Sequence, residues 1–256
     1  VTAFLAESAK PHASPVPLLP TDVGGWRDED HLRDAVVLLN VPMDEETPSG
    51  RLLRPQAWAQ EQLLRNFVSS YVYRMDLKKA RGSAEDAKEE EMRFRGVVDA
   101  LTHADPLRPK LLITDSQAMD KVHPWTLEKE LGDETIAITT FSVMMINFLS
   151  GGRLPAFIDG LQAFVQAAER AKESGGEKQA RVLICEACNH DRIADDIGTV
   201  QIPRLVEQRI GPGIVHFEWS FGREYATMPL DTFDAVFHCG GCMIDQQAMR
   251  ARIADL

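Results

Sequence analysis

Most of the signals that give a function away are missing from this chain. Among its 256 residues no apolar run approaches the roughly 20 needed to cross a bilayer, so no membrane-spanning helix is expected. The N-terminal Ala3-Phe4-Leu5-Ala6 is too short for a signal-peptide core, and the chain is expected to stay where it is made. Positive charge is scarce: 28 Lys and Arg against 39 Asp and Glu leave a net charge of −11. That argues against nucleic acid, whose phosphates demand a basic surface. No GxxxxGK[ST] occurs. Its nearest imitation, Ser174-Gly175-Gly176-Glu177-Lys178, lacks both the spacing and the preceding strand, and reads as a helix C-cap. Cysteines number four, and a chain with 44% hydrophobic residues can bury a core without disulfide staples. Thiols without obvious pairing fit a reducing compartment.

What is present lies in two short motifs, Cys188-Asn189-His190 and His238-Cys239-Gly240-Gly241-Cys242, separated by 47 residues. Each follows a short apolar run, Arg181 to Ile184 and Phe233 to Phe237, of the kind that forms a buried parallel strand. Ligands in open α/β sheets gather at that edge. Residues 243 to 256 have helical composition, which puts Gly240 and Gly241 in a tight turn at a helix N-terminus whose free N–H groups favour thiolates. The pattern reads as a metal site. Cys185 is either a small buried hydrophobe or, as Cys185-x-x-Cys188, part of a four-cysteine zinc site with a long spacer. A thiol oxidoreductase is not supported, for want of a helix-initial CxxC in a thioredoxin-like order.

With the rest of the chain, these motifs resemble a known family. Cys-x-His, a long spacer and His-Cys-x-x-Cys are similar to the cluster-binding motif of HydF, the GTPase-linked scaffold that matures FeFe-hydrogenase. Glu186-Ala187-Cys188-Asn189-His190, Asp196-Ile197-Gly198 with Ile202-Pro203-Arg204, Leu112 to Gln117, and Pro42-Met43-Asp44 followed by Pro48 to Leu52 look like further signatures in the family's order. The resemblance covers residues 35 to 256. It implies that Cys188, Cys239 and Cys242 are the three thiolate ligands of a 4Fe-4S cluster. Three soft ligands around a cubane leave one iron open to an exchangeable partner. His190 and His238 flank the ligands and would either fill that position or hydrogen-bond beside it, and Glu186 is a further candidate.

The resemblance further implies a di-iron precursor carried transiently, and homodimers, with pairing into tetramers left open. It names apo-FeFe-hydrogenase and the radical-SAM maturases as partners, and the cytoplasm as location, or the chloroplast stroma in an alga. GTP belongs to a P-loop domain that this sequence does not contain, so this stretch is not expected to be an enzyme. A zinc-stabilised protein-interaction module is the alternative.

The fold class expected is α/β, two small parallel-sheet domains in tandem. Residues 1–34, punctuated by Pro11, Pro15, Pro17 and Pro20, read as a linker from a missing domain. Residues 35–149 read as one small parallel-sheet unit, with strands at 35–39, 70–73, 110–114 and 135–139 and helices at 55–67 and 89–101, and the resemblance implies that it is the dimerisation domain. The resemblance implies that residues 150–256 are the cluster-binding domain, C-terminally truncated by comparison with the family. It opens at Ser150-Gly151-Gly152 and carries a helix from Pro155 to Lys172 that buries Phe157, Leu161, Phe164, Val165 and Ala168. The family's acidic junction motif is absent from 147–154. The mixed charges of Glu85 to Arg95 read as a solvated helix face, Met144, Met145 and Met243 as core, and Asp115-Ser116-Gln117 as a strand-end cap. His12, His31, His103, His123 and His216 have no ligand-spaced partners.

Overall fold

A computed structural model of the chain describes residues 18–19, 34–43, 49–104, 110–127, 136–175, 178–187, 196–241 and 243–256. Cys188, His190, Cys242, His12, His31 and nearly all of the 1–34 stretch lie outside the described residues. The chain divides into two compact units, Pro17–Met144 and Met145–Leu256. Both are α/β, and every strand pair in them is parallel.

In the first unit the sheet order is β2-β1-β3-β4, with β1 Val36–Asn40, β2 Ser69–Tyr73, β3 Lys110–Thr114 and β4 Ala137–Thr140. The central strands β1 and β3 are buried at every position, which is why both read as unbroken apolar runs rather than alternating ones. Helices α1 Arg54–Arg65, α2 Leu77–Ala80, α3 Ala84–Ala104 and α4 Met119–Leu127 make the crossovers. α1 and α3 occupy the expected segments. α2 is a single turn, and α4 carries Pro124 inside it, so neither has a helical signature in sequence. One core packs Val36, Leu38 and Leu112 of the sheet against Phe94 and Val98 of α3 and Val122 and Trp125 of α4.

The charge run in α3 is not a wholly solvated face. Glu90 is 2% exposed; its carboxylate accepts the Tyr73 hydroxyl at 2.6 Å, the Asp76 N–H at 3.0 Å and two Arg93 donors at 2.7 and 2.9 Å. Burial and this carboxylate raise the Tyr73 phenol above its ordinary range. Asp115 caps a short 3-10 turn through the Gln117 N–H, and Ser116 hydrogen-bonds Ser142 at 2.9 Å, as a strand-end cap requires.

Helix α5, Phe141–Ser150, starts in the first unit and ends in the second; apolar but for Ser142, Asn147 and Ser150, it has only a weak amphipathic period. Met144 and Met145 are core, as expected, but Met243 is 67% exposed. The second unit holds α6 Leu154–Glu173, β5 Ala180–Glu186, α7 Ile202–Ile210, β6 Val215–Phe221, β7 Ala235–His238 and α8 Gln246–Asp255, with sheet order β6-β5-β7. α6 buries Phe164, Ala167, Ala168 and Ala171, whereas Leu161 and Val165, expected in the core, are exposed. The strand period sorts β5 between two cores: Val182 and Ile184 face α6, while Leu183 and Cys185 face Tyr225, Val236 and Leu256. No single helix among the described residues is long and apolar enough to cross a membrane.

Candidate metal centre

Three parallel strands stop together in the second unit. The chain leaves β5 for β6 on one side and returns to β7 on the other, which makes the C-terminal ends of β5 and β7 a topological switch point. Past the end of β7, the Cys239 N–H donates to the Cys185 carbonyl at 3.0 Å and extends the ladder by one step. The Cys239 sulfur accepts the N–H of Ala187 at 3.0 Å and a second N–H from Gly241. Gly241 has φ +61°, and a Cβ there would displace the Met249 methyl and crowd Ile244, so the turn that returns this amide to the sulfur favours glycine and strains any other residue.

The expected helix N-terminus does not supply these donors. Helix α8 begins only at Gln246, where Asp245 caps it by accepting the Ala248 N–H at 2.7 Å. The two amides that serve the sulfur come instead from the end of β5 and from the glycine turn. Burial raises the Cys239 thiol above its ordinary value; the amides of Ala187 and Gly241 and the cation of Arg252 oppose that rise, and the Glu186 carboxylate adds to it.

His238 closes β7 with both ring nitrogens engaged. Nδ1 lies 2.6 Å from the Cys239 carbonyl, which can only accept, so Nδ1 carries the proton; Nε2 accepts from Arg252 Nε at 2.9 Å. Burial pushes the imidazole down to about 4, with the Arg252 charge adding and the Cys239 carbonyl opposing. Direct ligation by His238 would have to break one of these bonds.

Cys185 is fully buried, on the side of β5 that faces Leu183 and Tyr225, and burial pushes its thiol up to about 11. Cys185 and Cys239 are both free thiols. Glu186 is buried on the opposite face. Its carboxylate occupies the space in which a Cβ of Gly198 would sit, and the Gly198 carbonyl takes the Trp219 indole N–H at 3.1 Å. Asp196 caps that turn through the Thr199 N–H and hydroxyl, both at 2.7 Å, so the Asp196-Ile197-Gly198 motif seats the Glu186 side chain.

Among the described residues no group of three His, Cys, Asp or Glu is placed to hold a metal; three of the five candidate ligands, Cys188, His190 and Cys242, lie outside them. Residue 188 is nonetheless bonded to Ala187, whose amide touches the Cys239 sulfur, and residue 242 to Gly241, whose amide touches the same sulfur. A thiol served by two backbone amides, next to a guanidinium, suits a ligand that keeps negative charge on sulfur. The donor chemistry fits an iron–sulfur group.

Residues 28–149 match the family model of the hydrogen maturase F dimerization domain, and residues 162–256 that of the hydrogen maturase F tetramerization domain. The chain belongs to the HydF family. Its role is therefore in hydrogenase maturation, and its two matched domains are those through which the family forms homo-oligomers. No curated protein matches the chain. The Cys239 site lies within the tetramerization-domain match.

Arg252 is the residue that the motifs did not reveal. Its signal is faint: beside the apolar row of Met249 and Ile253 in α8 and the Leu256 that follows it, an arginine stands one turn from a methionine and is buried.

Proposed function

We propose that this chain is the dimerisation and cluster-binding portion of a hydrogenase-maturation scaffold, holding a 4Fe-4S cluster through Cys188, Cys239 and Cys242. The observation that carries this reading is the Cys239 sulfur at the β5/β7 switch point, receiving the amides of the two residues that immediately precede Cys188 and Cys242. When bound, the cluster supplies one iron that protein thiolates do not saturate, the place at which a di-iron precursor would be carried.

The chain's own residues do the rest. The amides of Ala187 and Gly241 spread charge off the Cys239 sulfur, and Gly241 keeps the turn narrow. The cargo's destination is apo-FeFe-hydrogenase and its source the radical-SAM maturases. Nucleotide hydrolysis belongs to a P-loop domain outside this stretch, which performs no catalysis itself.

For dimerisation, β2 is one of the two edge strands of the first sheet, paired among the described residues with β1 alone, and it exposes Tyr71 and Val72 by 52% and 53%. An unpaired edge with exposed apolar residues is suited to a second copy of the same strand. For the metal, the packing of Cys185 against Leu183 and Tyr225 argues against a four-thiolate zinc site.

Anaerobic reconstitution followed by iron, sulfide and zinc analysis tests the proposal. About four iron and four sulfide per chain are expected. Stoichiometric zinc without sulfide would replace the scaffold by a zinc-stabilised interaction module.

A further inference from the structure

Arg252 is 5% exposed, and no carboxylate among the described residues pairs with its guanidinium. Its three hydrogen bonds go to neutral acceptors: Nε to His238 Nε2 at 2.9 Å, one terminal nitrogen to the Gly222 carbonyl and the other to the Glu186 carbonyl at 3.4 Å. Its face lies over the Tyr225 ring at 4.6 Å. A buried cation with only neutral partners is costly unless an anion lies close by.

The three acceptors place that anion. Gly222 follows the end of β6, Glu186 ends β5 and His238 ends β7, so one side chain ties together all three strands at the pole where the cysteine motifs begin. Two of these residues flank the sulfur directly. Glu186 precedes Ala187, whose amide donates to Cys239, and His238 precedes Cys239 itself. The ring of His238, bonded on one side to Arg252 and on the other to the Cys239 carbonyl, is locked with its proton on Nδ1.

Resting on the cluster reading, we propose that Arg252 is a positioning residue and the counter-cation of the anionic sulfur site, and that it ties up His238 so that this histidine leaves the exchangeable iron open. The charge of Arg252 favours the more negative, reduced state of whatever the thiolates hold. Its fork keeps the ends of β5 and β7 at the spacing that the Ala187 to Cys239 contact needs.

The test compares the full chain with Arg252→Gln and Arg252→Lys after anaerobic reconstitution, reading the midpoint potential of the cluster. Arg252→Gln is expected to bind iron and sulfide with a potential more negative by at least 59 mV, a tenfold change for a one-electron couple. Arg252→Lys, which keeps the charge, is expected to recover most of that shift. A loaded Arg252→Gln protein with the wild-type potential would overturn the proposal.

A second measurement needs no variant: nitrogen NMR of His238 in the metal-free wild-type chain is expected to show a neutral ring protonated on Nδ1. A proton on Nε2 would overturn the proposal even where Arg252→Gln fails to fold. Failure of wild-type protein to take up iron and sulfide, with the expected His238 signal intact, would count against the cluster reading and leave the Arg252 to His238 bond standing.

Discussion

The backbone N–H of Ala187 donates to the sulfur of Cys239 at 3.0 Å, across 52 residues of sequence. That bond joins the last residue before one cysteine motif to the first cysteine of the other, and it can form only because β5 and β7 are adjacent parallel strands that end at the same level.

From this contact follows the ligand prediction. Cys188→Ser, Cys239→Ser or Cys242→Ser should each abolish or severely impair cluster assembly, whereas Cys185→Ser should retain it at a cost of about 1–3 kcal/mol in stability for a hydroxyl buried in an apolar core. Iron and sulfide content of the four variants, with urea unfolding of the last, measures both. Full cluster content in Cys239→Ser would remove the assignment, and loss in Cys185→Ser would point to four protein thiolates.

Cys185 also sets an alkaline limit. Its thiol titrates at about 11 in the fold against an ordinary value of 9.0. Between those values the unfolded chain releases this proton and the folded chain keeps it, so the stabilisation is complete below 9 and is lost as pH rises through 11. In metal-free protein, Cys185 should resist alkylation at pH 8, and urea midpoints should fall from pH 9 upward in wild type and fall less in Cys185→Ala. Equal slopes would contradict the buried thiol.

Glu90 is the ionic anchor of the first unit. Glu90→Ala strands the Tyr73 hydroxyl, the Asp76 amide and the Arg93 fork, and should cost about 3 kcal/mol in urea unfolding. Glu91→Ala, which removes only a helix-surface pair with Arg95, should cost about 0.5 kcal/mol or less. Similar losses for the two would mean that Glu90 is no more than another surface charge.

The edge strand β2 offers a clean probe of dimerisation. The Tyr73 carbonyl accepts the Val41 N–H, so Tyr73 bonds inward towards β1, and by alternation the Val72 N–H points to the free edge. Val72→Pro in the full chain removes that outward donor and should shift the protein towards smaller species in light scattering, while its circular dichroism stays that of wild type. An unchanged mass would exclude β2 from the interface.

Much of this molecule follows from local pattern. The unbroken apolar runs of β1, β3 and β5 are readable because a parallel strand covered on both faces has no polar side, and the cysteine motifs are readable because strand ends follow directly from those runs. The glycine pair marks its turn because Gly241 takes a backbone conformation that other residues resist. Packing across long separations decided the rest. Whether Glu90 of a charged helix turns inward depends on the Tyr73 hydroxyl 17 residues away, and the side of β5 that receives Cys185 depends on the sheet's two cores. The burial of Arg252 depends on a carbonyl 66 residues earlier in the chain, and the engagement of both His238 nitrogens depends on Arg252. No periodicity encodes such partners, because they meet only when three strands end together and a helix closes over them.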